Sequence, residues 1–381
     1  MAKRLIAGAG AALMAAGLTS TGARSAEVVR SFTQFNWVGG VADEVAQVAP
    51  VAAVQVAEDG TMFLSTPRWM NAGVPSTLSR VTEDGTLAPY PTAADHDVND
   101  PAAMQNVLGF SIVGERIYAI DKGDVAGRAE TPAEAQKIVV IDMAAGEVID
   151  RIVIPHDVSN PVENFLNDLA VDEARGFAYV TDSGNASTPN NQTAIIVVNL
   201  ETKETRRVLS AHDSTNNDTD VLLRVSGELV FPGQPLQVGI NGIALSPDGE
   251  TLYWSQTTGL DFYRIPTAVL RDPASSEADI EAAVEHLGTP GGSSDGIAAG
   301  PDGTVYVTDL TNGAIKALDP ETLIWSTLVQ DPRIVWPDTV DVSADGSALH
   351  FTSNQLHRAF GGVLSFEDGA KNFEVWRVDL N

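Results

Sequence analysis

The chain has 381 residues, no cysteine and a formal net charge of −28 at pH 7, with 44% hydrophobic and 19% charged residues. Without cysteine there are no disulfides, zinc–thiolate centres or thiol nucleophiles. The acidity excludes a nucleic-acid binder, which needs a basic surface against the phosphate backbone. A chain of this length buries a large core, in one closed fold or in two domains.

Residues 1–25 carry the marks of a secretory signal. Lys3 and Arg4 make a positive start, residues 5–18 are apolar and rich in alanine, and Ala23, Arg24 and Ser25 suit a small-residue cleavage site. The apolar run falls short of the roughly 20 residues that span a bilayer. No later stretch is apolar enough to cross one. The expectation is therefore an exported protein, periplasmic or extracellular, with no membrane contact once the signal is removed. Lys3, Arg4 and Arg24 leave with it, so the mature chain, residues 26–381, is more acidic still.

Six β-hairpins follow in chain order. The clearest two repeat one sentence: Asn241-Gly242-Ile243-Ala244 runs through Pro247-Asp248-Gly249 into Leu252-Tyr253-Trp254, and Asp295-Gly296-Ile297-Ala298 runs through Pro301-Asp302-Gly303 into Val305-Tyr306-Val307. Proline presets φ at the turn and glycine accepts a positive φ, which is hairpin chemistry. Related copies occupy residues 53–67, 110–121, 169–182 and 339–353, with further strands between them at 137–142, 194–200, 315–318 and 374–380. Short strands at regular spacing predict an all-β fold, and six repeats of this length predict a single six-bladed β-propeller over residues 26–381. Residues 267–287 read as one short helical insertion, interrupted by Pro273. Residues 211–220 read as a solvated loop that lacks the glycine of a calcium-binding EF-hand. Residues 31–37 are expected to close the ring by pairing with the last blade near residues 373–378.

In a propeller the first strand of each blade lines the axis. Counting eight positions back from each turn glycine gives a column of Ala52, Asp168, Asn241, Asp295 and Asp338, with Gly109 at the equivalent place in blade two and Asn167 beside Asp168. Oxygen-bearing side chains from successive blades could hold Ca2+ or Mg2+, or supply a general base. The plainer reading is that Asp and Asn precede glycines because they suit turns and strand ends. Gly292-Ser293-Ser294-Asp295-Gly296 matches a G-x-S-x-G pattern, but a strand rather than a helix follows it, so a serine nucleophile elbow is not expected. The six histidines show no ligand spacing. No glycine loop suits a phosphate, so no organic cofactor is expected, and nothing in the sequence sets an oligomeric state.

Several stretches resemble the Yellow/major royal jelly protein family. They are Pro67-Arg68-Trp69 followed by Gly73-Val74-Pro75-Ser76-Thr77-Leu78, Asn167-Asp168-Leu169-Ala170-Val171-Asp172, Ser294-Asp295-Gly296-Ile297-Ala298, Trp336-Pro337-Asp338, and Thr352-Ser353-Asn354. The resemblance runs in order over residues 31–380 and implies a six-bladed propeller. It also implies dopachrome-like conversion, biogenic-amine binding or a nutritive role, the functions found across that family. A more distant likeness is to gluconolactonase/senescence marker protein propellers, whose axial metal is held by Glu, Asn and Asp. That likeness implies a lactonase-like site with one divalent cation on Asn167, Asn241 and Asp295, and Asp295 as base. Ala52 stands where that group has its glutamate. Together these imply an exported propeller that binds a small molecule in its channel and isomerises or hydrolyses it. The alternative is a binding protein without turnover. In either case Asn167, Asp168, Asp338 and Asn354 are the expected ligand contacts.

Overall fold

The computed structural model describes residues 23–185 and 191–381. Six four-stranded antiparallel sheets account for almost every strand. Blade one runs from Val54–Val56 to Leu87–Pro89, blade two from Val107–Val113 to Glu147–Val153, and blade three from Leu166–Asp172 to Thr205–Val208. Blade four runs from Ile240–Leu245 to Glu285–His286 and blade five from Ile297–Ala299 to Ile324–Gln330. Blade six takes Pro337–Val342, Ala348–Ser353 and Phe373–Asp379, then borrows its outermost strand, Ala26–Phe32, from the other end of the chain. The first strands of neighbouring blades pack against one another around the axis. The six-bladed all-β propeller is thus the observed fold.

Apolar residues on alternate strand positions meet between blades, and six separate buried clusters result, one at each blade–blade interface. Tyr179 and Ile195 of blade three pack on Trp254 and Ile265 of blade four, for example. Phe351 and Trp376 of blade six meet Ile315 of blade five. Fully burying side chains of this size contributes about 1.5–3 kcal/mol each. The ring therefore holds without disulfides.

Three details differ from the sequence reading. Ring closure uses Ala26–Phe32 against Phe373–Asp379, whereas Trp37 bridges in parallel to Leu87 on the outer edge of blade one. The amino-terminal segment thus clasps both blades at the closure, with Phe35 stacked on Phe373 between them. The helical insertion is two short helices, Thr267–Arg271 and Glu277–Ala282, separated at Pro273, and residues 285–286 return to strand because they complete blade four. Two further helices, Asp43–Ala46 and Leu356–Phe360, carry too few turns to show a helical period. The 211–220 segment is partly buried: Ser214 and Thr215 lie in the interior, and the Ser214 carbonyl accepts the Trp254 indole N–H at 2.8 Å.

Between blades three and four, the chain makes an excursion that carries a small hairpin, Arg224–Val225 with Glu228–Leu229. It packs Leu223, Val225 and Val230 against Leu310, Trp336 and Leu356, forming a seventh cluster over one end of the channel. Among the described residues no helix is long and apolar enough to cross a membrane.

Candidate functional site

The inner strands break register where the column residues sit. Pairing is interrupted between Leu166 and Leu169, between Ile240 and Ile243, and between Pro337 and Val340. Each break lifts Asn167–Asp168, Asn241 or Asp338 out of its ladder and turns it towards the axis, which is what a β-bulge does. Backbone donors outside the ladder are met by hydroxyls of the next strand: at the blade-three break Asp168 N–H reaches Thr181 Oγ1 at 3.0 Å, and just before the inner strand of blade five Asp295 N–H reaches Thr308 Oγ1 at 2.8 Å. The glycines after Asn241 and Asp295 are there for close approach. A Cβ at Gly242 would stand 2.7 Å from the Asp295 carbonyl, and one at Gly296 would collide with the Asp338 carbonyl.

The column opens into one cavity of about 420 Å³. Asn167, Asp168, Asn241, Asp295 and Asp338 all line it, together with Ala52 and Gly109. Asn354, expected as a ligand contact, lies behind the wall instead: it is fully buried and donates to Asp338 Oδ2 at 2.8 Å and to the Val51 carbonyl at 3.0 Å. Serines 293 and 294 are buried in the loop before Ile297–Ala299, and Ser293 Oγ donates to the Gly259 carbonyl at 3.1 Å. No nucleophile elbow forms there.

Asp295 is the most enclosed of the three aspartates, 4% exposed. Its Oδ1 accepts from Asn241 Nδ2 and from Thr257 Oγ1 at 3.2 Å, and its Oδ2 accepts the Trp336 indole N–H at 2.6 Å. Burial pushes its carboxyl up to about 6, against the pull of the Trp336 and Thr257 hydrogen bonds. Asp168 is pushed up to about 7 by burial, with the Asp295 charge adding to it and the Leu169 and Ile243 amides opposing. Asp338 is raised well above the ordinary carboxylate range by burial and then by the Asp295 charge. The floor is therefore three carboxyls that resist ionising together.

Above this floor the lining turns aromatic and apolar, with Trp69, Phe165, Trp336 and Phe360 among its members. Trp69 lies 6.4 Å from Phe165 and 5.5 Å from Phe360, ring centre to ring centre. Among the described residues no lysine, arginine or histidine lines the cavity, and the nearest cation to its rings is the Lys122 ammonium, 4.6 Å from the centre of Phe165. Counting back from turn glycines could not find these rings, which sit on connections and on the helix Leu356–Phe360 rather than on repeating strands. Trp69 and Trp336 do belong to the family-like stretches Pro67-Arg68-Trp69 and Trp336-Pro337-Asp338, the sequence signal that marks them.

A divalent cation on the axis would draw on Asn167, Asn241 and Asp295. Their amide nitrogens already donate inward, Asn167 to Ser183 Oγ at 3.0 Å and Asn241 to Thr257 Oγ1 at 2.8 Å, leaving the amide oxygens for the cavity. Ca2+ takes roughly six to eight oxygens, usually several of them charged. Here Asp295 is the single charged member of that trio. Ala52 contributes nothing, and among the described residues no three His, Cys, Asp or Glu side chains group to hold a metal ion. This donor set does not fit a tightly held Ca2+ or Mg2+ ion.

A family model described as major royal jelly protein matches residues 113–381. The chain belongs to the major royal jelly protein family. Among honeybee (Apis mellifera) relatives, major royal jelly protein 3 is 24% identical over 225 residues, covering 55% of this chain and 38% of the relative. Major royal jelly protein 2 is 27% identical over 224 residues, covering 55% of this chain and 46% of the relative. The match thus spans less than half the length of these relatives. Among solved structures, a gluconolactonase from Xanthomonas campestris aligns over 87% of this chain and 86% of its own, at 16% identity and a TM-score of 0.50. A calcium-binding regucalcin from Agrobacterium tumefaciens aligns over 87% of this chain and 92% of its own, at 13% identity and a TM-score of 0.51. At such identities these two show the shared propeller fold.

Proposed function

We propose that this family member binds a small organic cation, an arylalkylamine or a molecule like it, in the channel cavity. The lining carries the reading: three carboxyl groups below, of which Asp295 ionises most readily, four aromatic rings above, and no basic side chain among the described residues. An ammonium group is attracted both by carboxylates and by the faces of aromatic rings. An ionised Asp295 would repel an anionic ligand. The volume of about 420 Å³ suits a single-ring molecule with a short side chain. The acidic chain, −28 overall, would also raise the local concentration of cations by steering.

Calorimetric titration with tyramine tests this directly. Wild type should bind, and Asp295→Asn should lose at least about tenfold in affinity, because a buried charge partner is removed. Failure of wild type to bind any arylalkylamine at millimolar concentration would overturn the reading. Adding Ca2+ with and without EDTA covers the cation alternative, which predicts tight uptake of the metal and a matching thermal stabilisation.

A second reading, catalysis, is supported by the position of Asp295: a carboxyl pushed up to about 6 is well placed as a general base near neutral pH. Proton abstraction in a dopachrome-like isomerisation, or activation of water on a lactone, would use it. Asp295→Asn separates the two readings. An enzyme should lose about 10²–10⁴ in turnover with little change in affinity, whereas a binder loses affinity alone.

Export is part of the same proposal. Residues 1–22 lie outside the described residues, so support comes from the charged and apolar pattern of that stretch. Amino-terminal sequencing of the mature protein should begin near residue 26; a mature protein that keeps its first residues would refute it.

A further inference from the structure

A cation site built on a buried aspartate needs something to keep that carboxylate ionised and aimed. We propose that Trp336 is the positioning residue of this site, its indole N–H fixing Asp295 Oδ2 so that the carboxylate stays available to a cation. The inference rests on the reading of Asp295 as the ligand-facing carboxylate.

The geometry is unusual for a residue that merely fills space. Trp336 holds a left-handed backbone, φ 56°, which is an outlier for a bulky side chain. Such strain persists only where the surroundings over-determine it, and it gathers at functional sites. Here the constraints are visible. Asn354 N–H reaches the Trp336 carbonyl at 3.2 Å, and Gln355, itself left-handed at φ 47°, reaches the Val335 carbonyl at 3.2 Å. On its far side the indole stacks on the His357 ring, with 5.5 Å between centres and 17° between planes. Val225, Val230 and Leu356 close the packing, leaving Trp336 2% exposed.

The chemistry suits the role. Indole N–H donates and cannot accept, so it favours an ionised partner over a protonated one. Trp37 and Trp254 give their N–H groups to neutral oxygens, Ser76 Oγ at 2.9 Å and the Ser214 carbonyl at 2.8 Å. Trp336 instead donates at 2.6 Å to a carboxylate that lines the cavity. The groups facing this pair are Asp338 and Asp168, whose charges oppose ionisation of their neighbours. Behind it stand His357, with Glu228 at 3.7 Å, and Arg358, bonded to Glu228 at 2.9 Å. Burial and then Arg358 hold the His357 imidazole down to about 4, so the ring beneath the indole is neutral.

Two measurements test the inference. In 15N–1H spectra of the ligand-free protein, the chain's six tryptophans give six indole signals. One should shift with a midpoint near the Asp295 value of about 6, and in Asp295→Asn that signal should stop titrating there. This reading needs no ligand, so it stands even if tyramine does not bind. In the second, tyramine affinity is compared in wild type and Trp336→Phe, which keeps the aromatic stack but not the donor. Losing a hydrogen bond to a charged group should raise the Asp295 midpoint by about one to two units and cost about two- to tenfold in affinity at pH 7. Raising the pH to about 8.5 should recover most of that loss, because the carboxyl then ionises without help. A purely structural defect would not be rescued by pH. Indole signals that all ignore the Asp295 substitution, or a Trp336→Phe loss that is equal at both pH values, would overturn the assignment.

Discussion

Lowering the pH from 7 to 5 should weaken binding of a cationic ligand, and the structure sets the size of the effect. Asp295 titrates at about 6 and Asp168 at about 7 in the ligand-free cavity. An alkylammonium group stays protonated across this range. Binding therefore favours the ionised carboxyls and releases protons, so affinity is present above the ligand-free midpoints and lost as pH falls through them. The ionised share of Asp295 alone drops from roughly nine-tenths to one-tenth, which is about a tenfold loss in affinity. If Asp168 must ionise as well, the loss is larger still, because burial and the Asp295 charge hold that carboxyl higher. Calorimetric titration of tyramine at about pH 5, 6, 7 and 8, in buffers of different ionisation enthalpy, gives both affinity and protons released. Asp295→Asn should erase the step near 6. An affinity that is flat, or that rises on acidification, would refute the reasoning.

Asp341 lies between blades six and one, where its Oδ2 accepts Val56 N–H at 2.9 Å and burial pushes its carboxyl up to about 7. A carboxyl raised in the folded state contributes stability below its unfolded value and loses it as pH rises through the folded value, so Asp341→Asn should raise the melting temperature by about 2–4 °C at pH 8 and change it little at pH 4; a lower melting temperature at pH 8 would contradict this. Asp121 accepts the Gln105 and Asn106 amides at 2.8 Å and the Lys137 ammonium at 2.9 Å, all in the interior. Asp121→Ala strands those donors and should destabilise the ring by about 3–5 kcal/mol in denaturant unfolding; a loss under about 1 kcal/mol would show that the network is dispensable.

The propeller was legible because hairpin turns are local chemistry. Gly249, Gly303 and Gly346 all take a positive φ at the turns where the sequence put them. Counting back from those turns reached the axis because Asp168, Asn241 and Asp338 sit on bulges at one place along the inner strands and Asp295 just before its strand, so all four converge on one cavity. Other features depend on tertiary packing. Trp69, Phe165 and Phe360 reach the cavity from connections whose course has no period to read. Asn354 lies close to Asp338 in space but faces away from the channel, a distinction made by the left-handed turn at Gln355. The glycines after Asn241 and Asp295 resembled turn signals, yet they serve the contact between neighbouring blades. Ring closure was expected in the right blade but a few residues late, because the pairing at Ala26–Phe32 is fixed by a distant strand.

A crystal structure of the mature protein grown with tyramine is the most direct test of the account. It should show the ammonium within about 3 Å of an Asp295 or Asp338 oxygen, with the ring among Trp69, Phe165 and Phe360. A metal ion bound by Asn167, Asn241 and Asp295, or an amine seated elsewhere while the cavity holds only water, would contradict it.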